Sequence, residues 1–165
     1  SGSDLAALFV LGRFDRKSWF QNWNHFRCQG FRAYETNVEC IGMSGAAHLC
    51  GRRILVVEDE FLVALDLEAE LEEHGAVVTC VSTLRQATGQ VRSGQFDAAI
   101  VDLNLKGEES YPVADLLRER QVPFVFHTGQ GERNALMLRY PGVTVCNKPC
   151  EGSAVVRDLE RALNG

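Results

Sequence analysis

Ile54-Leu55-Val56-Val57-Glu58-Asp59-Glu60 decides how the rest of the chain is read. Four apolar residues run together and stop abruptly on acids. An apolar run that short is fit for a strand buried on both faces, as in a parallel sheet. Residues 60–74 then read as a helix, with Leu67 and Leu71 four apart and Gly75 to end it. The alternation repeats downstream. Residues 77–80 are strand-like, Leu84, Ala87 and Val91 mark a helix that stops at Gly94, and residues 98–101 form a third apolar run. The next helix has Ser110 as its cap, Pro112 in its first turn, and Val113, Leu116 and Leu117 facing inward. Residues 123–127 predict a fourth strand, 143–146 a fifth, and 151–163 a last helix with Val155, Leu159 and Ala162 on one side. Gly129, Gly131 and Pro141 leave room for only a short, weak helix between strands four and five. Such alternation predicts an α/β fold: a five-stranded parallel sheet, doubly wound, with helices on both faces.

Composition agrees with a globular chain. Of 165 residues, 45% are hydrophobic and 24% charged, the balance of an ordinary soluble domain. The length allows one full-sized domain plus a modest appendage. The net charge is −5 with no basic cluster, which argues against nucleic acid as a partner. No apolar run is long enough to span a bilayer, and no secretory leader is visible, so the expected setting is cytoplasmic, off the membrane. The six cysteines lack C-x-x-C pairing, and Cys80 and Cys146 sit in apolar runs, which predicts reduced thiols.

Residues 1–50 differ from 51–165. The first segment holds five basic and four acidic side chains against 12 and 18 in the second, and it carries eight of the 14 aromatics. Trp19, Phe20, Trp23 and Phe26 could line one side of two helical turns, and the opening Ser1-Gly2-Ser3 has the look of a tag remnant. Two readings stay open: a docking or dimerising extension, or a leader upstream of a true start at Met43. Residues 51–165 are read as the folded domain.

In an open parallel sheet, ligands bind beyond the carboxyl ends of the strands. Polar residues there are informative because the strands are apolar. Glu58 and Asp59 follow strand one, Asp102 strand three, Thr128 strand four, and Lys148-Pro149 strand five. Each alone is an ordinary turn, cap or surface residue; together they are a set. Three carboxylates meeting in a crevice repel one another, and a divalent cation resolves the repulsion. Mg²⁺ suits it, because that ion takes few carboxylates, keeps waters and engages phosphate oxygens. A carboxylate such as Asp102 can attack phosphorus and form an acyl phosphate, with Lys148 and the Thr128 hydroxyl neutralising the transferring group.

Val56-Val57-Glu58-Asp59-Glu60, Val101-Asp102-Leu103-Asn104, Thr128-Gly129 and Asn147-Lys148-Pro149 resemble the receiver domain of two-component response regulators (CheY-like), from residue 52 to about 164. The resemblance implies the flavodoxin-like strand order 2-1-3-4-5. It implies that Asp102 is the phosphoacceptor, and that Asp59, Asp102 and the Asn104 main-chain carbonyl bind Mg²⁺ directly. Glu58 then acts through metal-bound water, and Thr128 and Lys148 contact phosphoryl oxygens. The implied partner is a histidine kinase or a histidine phosphotransfer protein, with the downstream target unspecified and homodimerisation left open. Two features depart from the common pattern. Val145 stands where receivers usually carry Phe or Tyr, and Phe126-His127-Thr128-Gly129-Gln130 resembles the Phe-Ala-Thr-Gly signature of the FAT GUY subfamily, associated with kinases of the HWE and related types. His127 replaces the Ala of that signature, and Gln130-Gly131 departs from its usual continuation.

The function expected is a stand-alone phosphoacceptor receiver, a signalling module rather than an enzyme, since only Asn164-Gly165 follow the last helix. One alternative is a pseudo-receiver that binds a partner without phosphorylation. Another is an Mg²⁺-dependent phosphohydrolase with an aspartate nucleophile, although Asp102-Leu103-Asn104 lacks the second Asp of the D-x-D-x-T pattern and follows the third strand, not the first. Without an aromatic at 145, the signal is expected to leave through residues 129–140, mobile at rest and ordered on activation. Residues 61–65, all apolar at the start of a helix, are more than one buried face can hide and read as edge packing or as a patch for a kinase helix pair.

Overall fold

The computed structural model describes residues 49–129 and 133–165. The aromatic cluster of residues 19–26, the Met43 start and Gln130-Gly131 lie outside the described residues. Five parallel strands form the sheet: β1 Arg53–Val57, β2 Val77–Val81, β3 Ala98–Val101, and, after a two-stranded hairpin of β4 Asn104–Leu105 and β5 Glu108–Glu109, β6 Phe124–Thr128 and β7 Val145–Asn147. The order is β2-β1-β3-β6-β7, which is 2-1-3-4-5 counted over the sheet strands alone. Five helices complete the unit: α1 Phe61–Glu73, α2 Leu84–Ser93, α3 Tyr111–Glu119, α4 Arg133–Arg139 and α5 Gly152–Asn164.

The middles of the strands are apolar because both faces of the sheet are covered. Leu55, Val57, Val101 and Phe126 pack with Ala87, Val91, Val113 and Leu117 of α2 and α3. Ile54, Val56, Ile100 and Val125 pack on the other side with Leu67, Leu71, Val155 and Leu159 of α1 and α5. Burying one such side chain is worth about 1.5–3 kcal/mol, so slipping a strand by one residue would exchange the two cores at once.

The helix ends show which local rules operate. Thr83 caps α2 by accepting from the Gln86 amide at 3.3 Å, and the Gln86 side chain returns to the Ser82 amide and the Thr83 hydroxyl. After α1, Gly75 adopts φ +83°, and a Cβ there would come within 3.2 Å of the Cys50 backbone, so only glycine closes this turn. Ser110 precedes α3, but its buried hydroxyl makes no cap hydrogen bond, against the sequence expectation. The start of β7 also lies two residues later than the sequence pattern predicts. Pro141 and Gly142 form a turn in which the Val143 amide donates to the Tyr140 carbonyl at 3.2 Å, with Gly142 at φ +87°.

Helix α4 is short, seven residues with only Leu136 buried. Tyr140, just beyond it, is buried against Phe124 and Phe126, and its hydroxyl donates to Asp115 of α3 at 2.8 Å. Cys80, Cys146 and Cys150 form no disulfide. Cys50, in the turn before β1 rather than in a strand, is disulfide-bonded, which corrects the expectation of uniformly reduced thiols. Among the described residues, no helix is long and apolar enough to cross a membrane.

Candidate functional site

The register of three strands builds the site. β1 is central, flanked by β2 and β3, so its carboxyl end lies in the crevice where the chain reverses direction across the sheet. The Glu58 amide donates to the Val81 carbonyl at 2.9 Å, and the Asp102 amide donates to the Val57 carbonyl at 2.8 Å. These two bonds extend the sheet pairing by one residue and bring the carboxylates level. One carboxylate oxygen from each of Glu58, Asp59 and Asp102 lies within 4.8 Å of the others. Glu58 and Asp102 are buried, whereas Asp59 is half-buried.

Lys148 bridges the buried pair. Its ammonium is 2.7 Å from Asp102 Oδ2 and 2.9 Å from Glu58 Oε1, both in hydrogen-bonding geometry. Glu58 Oε2, 2.7 Å away, is an ion-pair contact without that geometry. Glu60 approaches the same ammonium more loosely, at 3.6 Å from the exposed edge. The lysine is delivered by backbone: its amide donates to the Thr128 carbonyl at 2.7 Å, and Thr128 pairs with Asn147 across β6 and β7. The Asn104 amide donates to Asp102 Oδ1 at 3.2 Å, and the Asn104 side chain accepts from Gly107 at 2.7 Å across the β4–β5 turn. Lys106 and Gly107 both have positive φ there, the signature of a two-residue hairpin turn. The sequence reading did not anticipate this hairpin; its strands are two residues each, too short for periodicity to show.

The electrostatics follow from one cation serving two buried anions. Burial pushes the Asp102 carboxyl up, repulsion from Glu58 adds to it, and Lys148 only partly opposes, so Asp102 stands at about 6. Burial alone would raise Glu58 too, but contacts from His127 and Lys148 hold it below the usual carboxylate range. Burial works against the charged Lys148, yet hydrogen bonds to Asp102 and Glu58 raise it on balance. Three convergent carboxylates with one ammonium leave residual negative charge beside an Asp102 carboxyl that burial first, and Glu58 second, push up. An all-oxygen donor set of this kind fits a hard divalent cation such as Mg²⁺.

The structure therefore brings together the carboxylates of Glu58, Asp59 and Asp102 with the Lys148 ammonium, while Asn104 and Thr128 join them through the backbone. Sequence reasoning marked His127 only as the residue that replaces Ala in the Phe-Ala-Thr-Gly signature and gave it no part in the site. His127 is buried, and its Nδ1 lies 3.8 Å from Glu58 Oε2. The signal was its place two residues after Val125 on the face of the sheet that carries Glu58.

Comparison with known proteins gives a concordant result. A family model described as the response regulator receiver domain matches residues 54–159. The chain is 37% identical over 93 residues to the transcriptional regulatory protein TcrA of Mycobacterium tuberculosis, spanning 53% of this chain and 37% of that protein. It is 34% identical over 84 residues to the two-component response regulator PhoP of Pseudomonas aeruginosa, spanning 48% of this chain and 36% of that protein. The matches thus span little more than a third of the length of these curated relatives. Among solved structures, SdrG of Sphingomonas melonis superposes with TM-score 0.61 at 38% identity, over 70% of this chain and 98% of that one. The receiver domain of the sensor histidine kinase PA1611 of Pseudomonas aeruginosa, solved with magnesium in its active-site cleft, superposes with TM-score 0.62 at 28% identity, over 70% and 100% of the two chains.

Proposed function

The chain belongs to the response regulator receiver domain family, and on that premise we propose that Asp102 accepts a phosphoryl group from a phosphohistidine of a histidine kinase or phosphotransfer protein. The observation that carries this is the shared lysine: Lys148 bonded at once to Asp102 and Glu58, at the strand end where an acceptor must sit. An Asp102 carboxylate held near pH 6 is ionised at neutral pH yet more basic than an ordinary one, which favours attack on phosphorus. Its oxygen forms the new P–O bond as the P–N bond of the donor breaks, and the donor imidazole leaves with that electron pair. Lys148, already on Asp102, follows the charge onto the phosphoryl oxygens, and the Thr128 hydroxyl approaches them from the end of β6.

Asp59, Asp102 and the Asn104 carbonyl would hold Mg²⁺ directly, and Glu58 through water. The ion supplies neutralisation of charge on the transferring phosphoryl group. Receiver domains bind Mg²⁺ at such an acidic pocket, and the cluster of Glu58, Asp59 and Asp102 supports the same here.

We assign residues 51–165 to the receiver and place it, as a module of the cytoplasm, in the FAT GUY subfamily with an HWE-type kinase as donor. Phe126, Thr128 and Gly129 support that placement, as does Val145, paired with Phe126 where other receivers carry an aromatic. Leu62 and Leu65, exposed on α1 beside the site, suit a partner helix pair.

Incubation with acetyl phosphate and Mg²⁺, followed by intact mass, tests the reading. A phosphoprotein that Asp102→Asn abolishes supports it. Continuous release of phosphate without an adduct would mark a phosphohydrolase, and no reaction a pseudo-receiver.

A further inference from the structure

Two buried polar atoms at the site face each other without hydrogen bonds. Glu58 Oε2 accepts none and His127 Nδ1 donates none, and they stand 3.8 Å apart. Nε2 of His127 is likewise without a partner among the described residues. Glu58 is 1% and His127 3% exposed, so bulk water does not satisfy either group. Buried polar groups left unpaired are uncommon and call for a reason. The gap exceeds a hydrogen bond by about an ångström, a distance that small side-chain rotations close.

The reason lies in the shared lysine. In the present state Lys148 holds Glu58 by Oε1 and touches Oε2. Transfer of a phosphoryl group to Asp102 draws the ammonium toward the new charge. Glu58 is then a buried carboxylate that has lost its nearest cation, although its orientation would still matter for holding Mg²⁺ through water. We propose that His127 is a positioning residue: its Nδ1–H takes over Glu58 Oε2 when Lys148 moves to the phosphoryl group. A neutral imidazole suffices, so the device requires no change of protonation. This inference rests on Asp102 being the phosphoacceptor.

The test uses the whole chain, with beryllofluoride as the phosphoryl mimic and Mg²⁺ affinity read by calorimetry. His127→Gln keeps an N–H donor; His127→Leu fills similar volume without one. Without beryllofluoride, both variants should bind Mg²⁺ within about twofold of the parent, because Lys148 still holds Glu58. With beryllofluoride, His127→Leu should lose about tenfold, the scale of one hydrogen bond to a charged group, and His127→Gln should recover most of it. Equal losses in both states would show a merely structural side chain and overturn the inference, as would no loss in either. A parent protein that takes up no beryllofluoride would overturn the phosphoacceptor reading and this inference with it. Should His127→Leu fail to fold, ¹⁵N-labelled histidine in the parent decides. A shift of the His127 Nδ1 resonance to a hydrogen-bonded position on adding beryllofluoride supports the role, and an unmoved resonance refutes it.

Discussion

Replacing Asp102 by Asn should stabilise the metal-free protein at neutral pH and leave it unchanged in acid. In the folded state the Asp102 carboxyl is raised from 3.8 to about 6. The folded protein thus keeps a proton that the unfolded chain has released, and stability falls as pH rises from the lower value through the higher. Two pKa units at about 1.4 kcal/mol each give about 3 kcal/mol in full, of which about 2 kcal/mol falls between pH 4.5 and 7.5. Glu58 moves the opposite way, since its lowered carboxyl contributes stability that is lost in acid. Comparison with Asp102→Asn removes most of that background, because the amide oxygen still accepts from Lys148. Urea unfolding in a chelator, repeated across that pH range on both proteins, gives the difference directly. The gap should open with rising pH in favour of the variant, and millimolar Mg²⁺ should close much of it by binding only the folded parent. Parallel stability curves, or a parent that gains on the variant as pH rises, would refute the claim that burial and the neighbouring Glu58 hold the Asp102 carboxyl up.

Asp59→Ala should weaken Mg²⁺ binding by about tenfold without loss of fold, measured by calorimetry, because Asp59 is only half-buried, just past the end of β1. Phe126→Ala should cost about 3–5 kcal/mol in urea unfolding, since the ring is fully buried against Phe124 and Tyr140. Tyr140→Phe should cost about 1 kcal/mol, and hydrogen exchange should show faster opening of residues 133–140, because the hydroxyl ties the end of α4 to Asp115. In the parent, beryllofluoride with Mg²⁺ should slow exchange in that same segment; unchanged protection would place the output surface elsewhere.

The sheet was legible because its strands hide both faces. Residues 54–57 and 98–101 are apolar without interruption and each stops on an acid, a pattern that an amphipathic helix with one solvated face does not give. What could not be read was set by single residues acting at close range. Lys106-Gly107 turns a hairpin too short to have a period, Pro141-Gly142 delays β7, and the Ser110 hydroxyl turns away from the helix it precedes. The disulfide at Cys50 had no signal either, because spacing alone does not separate a bonded cysteine from a reduced one.

The site repeats that division with one instructive difference. Glu58, Asp102 and Lys148 were found because each is polar just past an apolar strand, whereas His127, the last residue of the strand read over 123–127, was given no part in the site. Yet the two-residue alternation of a strand carries more information than its end. Val56, Ile100, Val125 and Cys146 all pack on the α1 and α5 side of the sheet. Two residues beyond them stand Glu58, Asp102, His127 and Lys148. The Lys148 ammonium bonds to both Glu58 and Asp102, and His127 stands beside Glu58. Which face a side chain occupies at the edge of a parallel sheet is therefore fixed by the core residues that precede it. Reading parity along each strand, not only the polar residue that ends it, separates an imidazole of the core from one that faces a carboxylate.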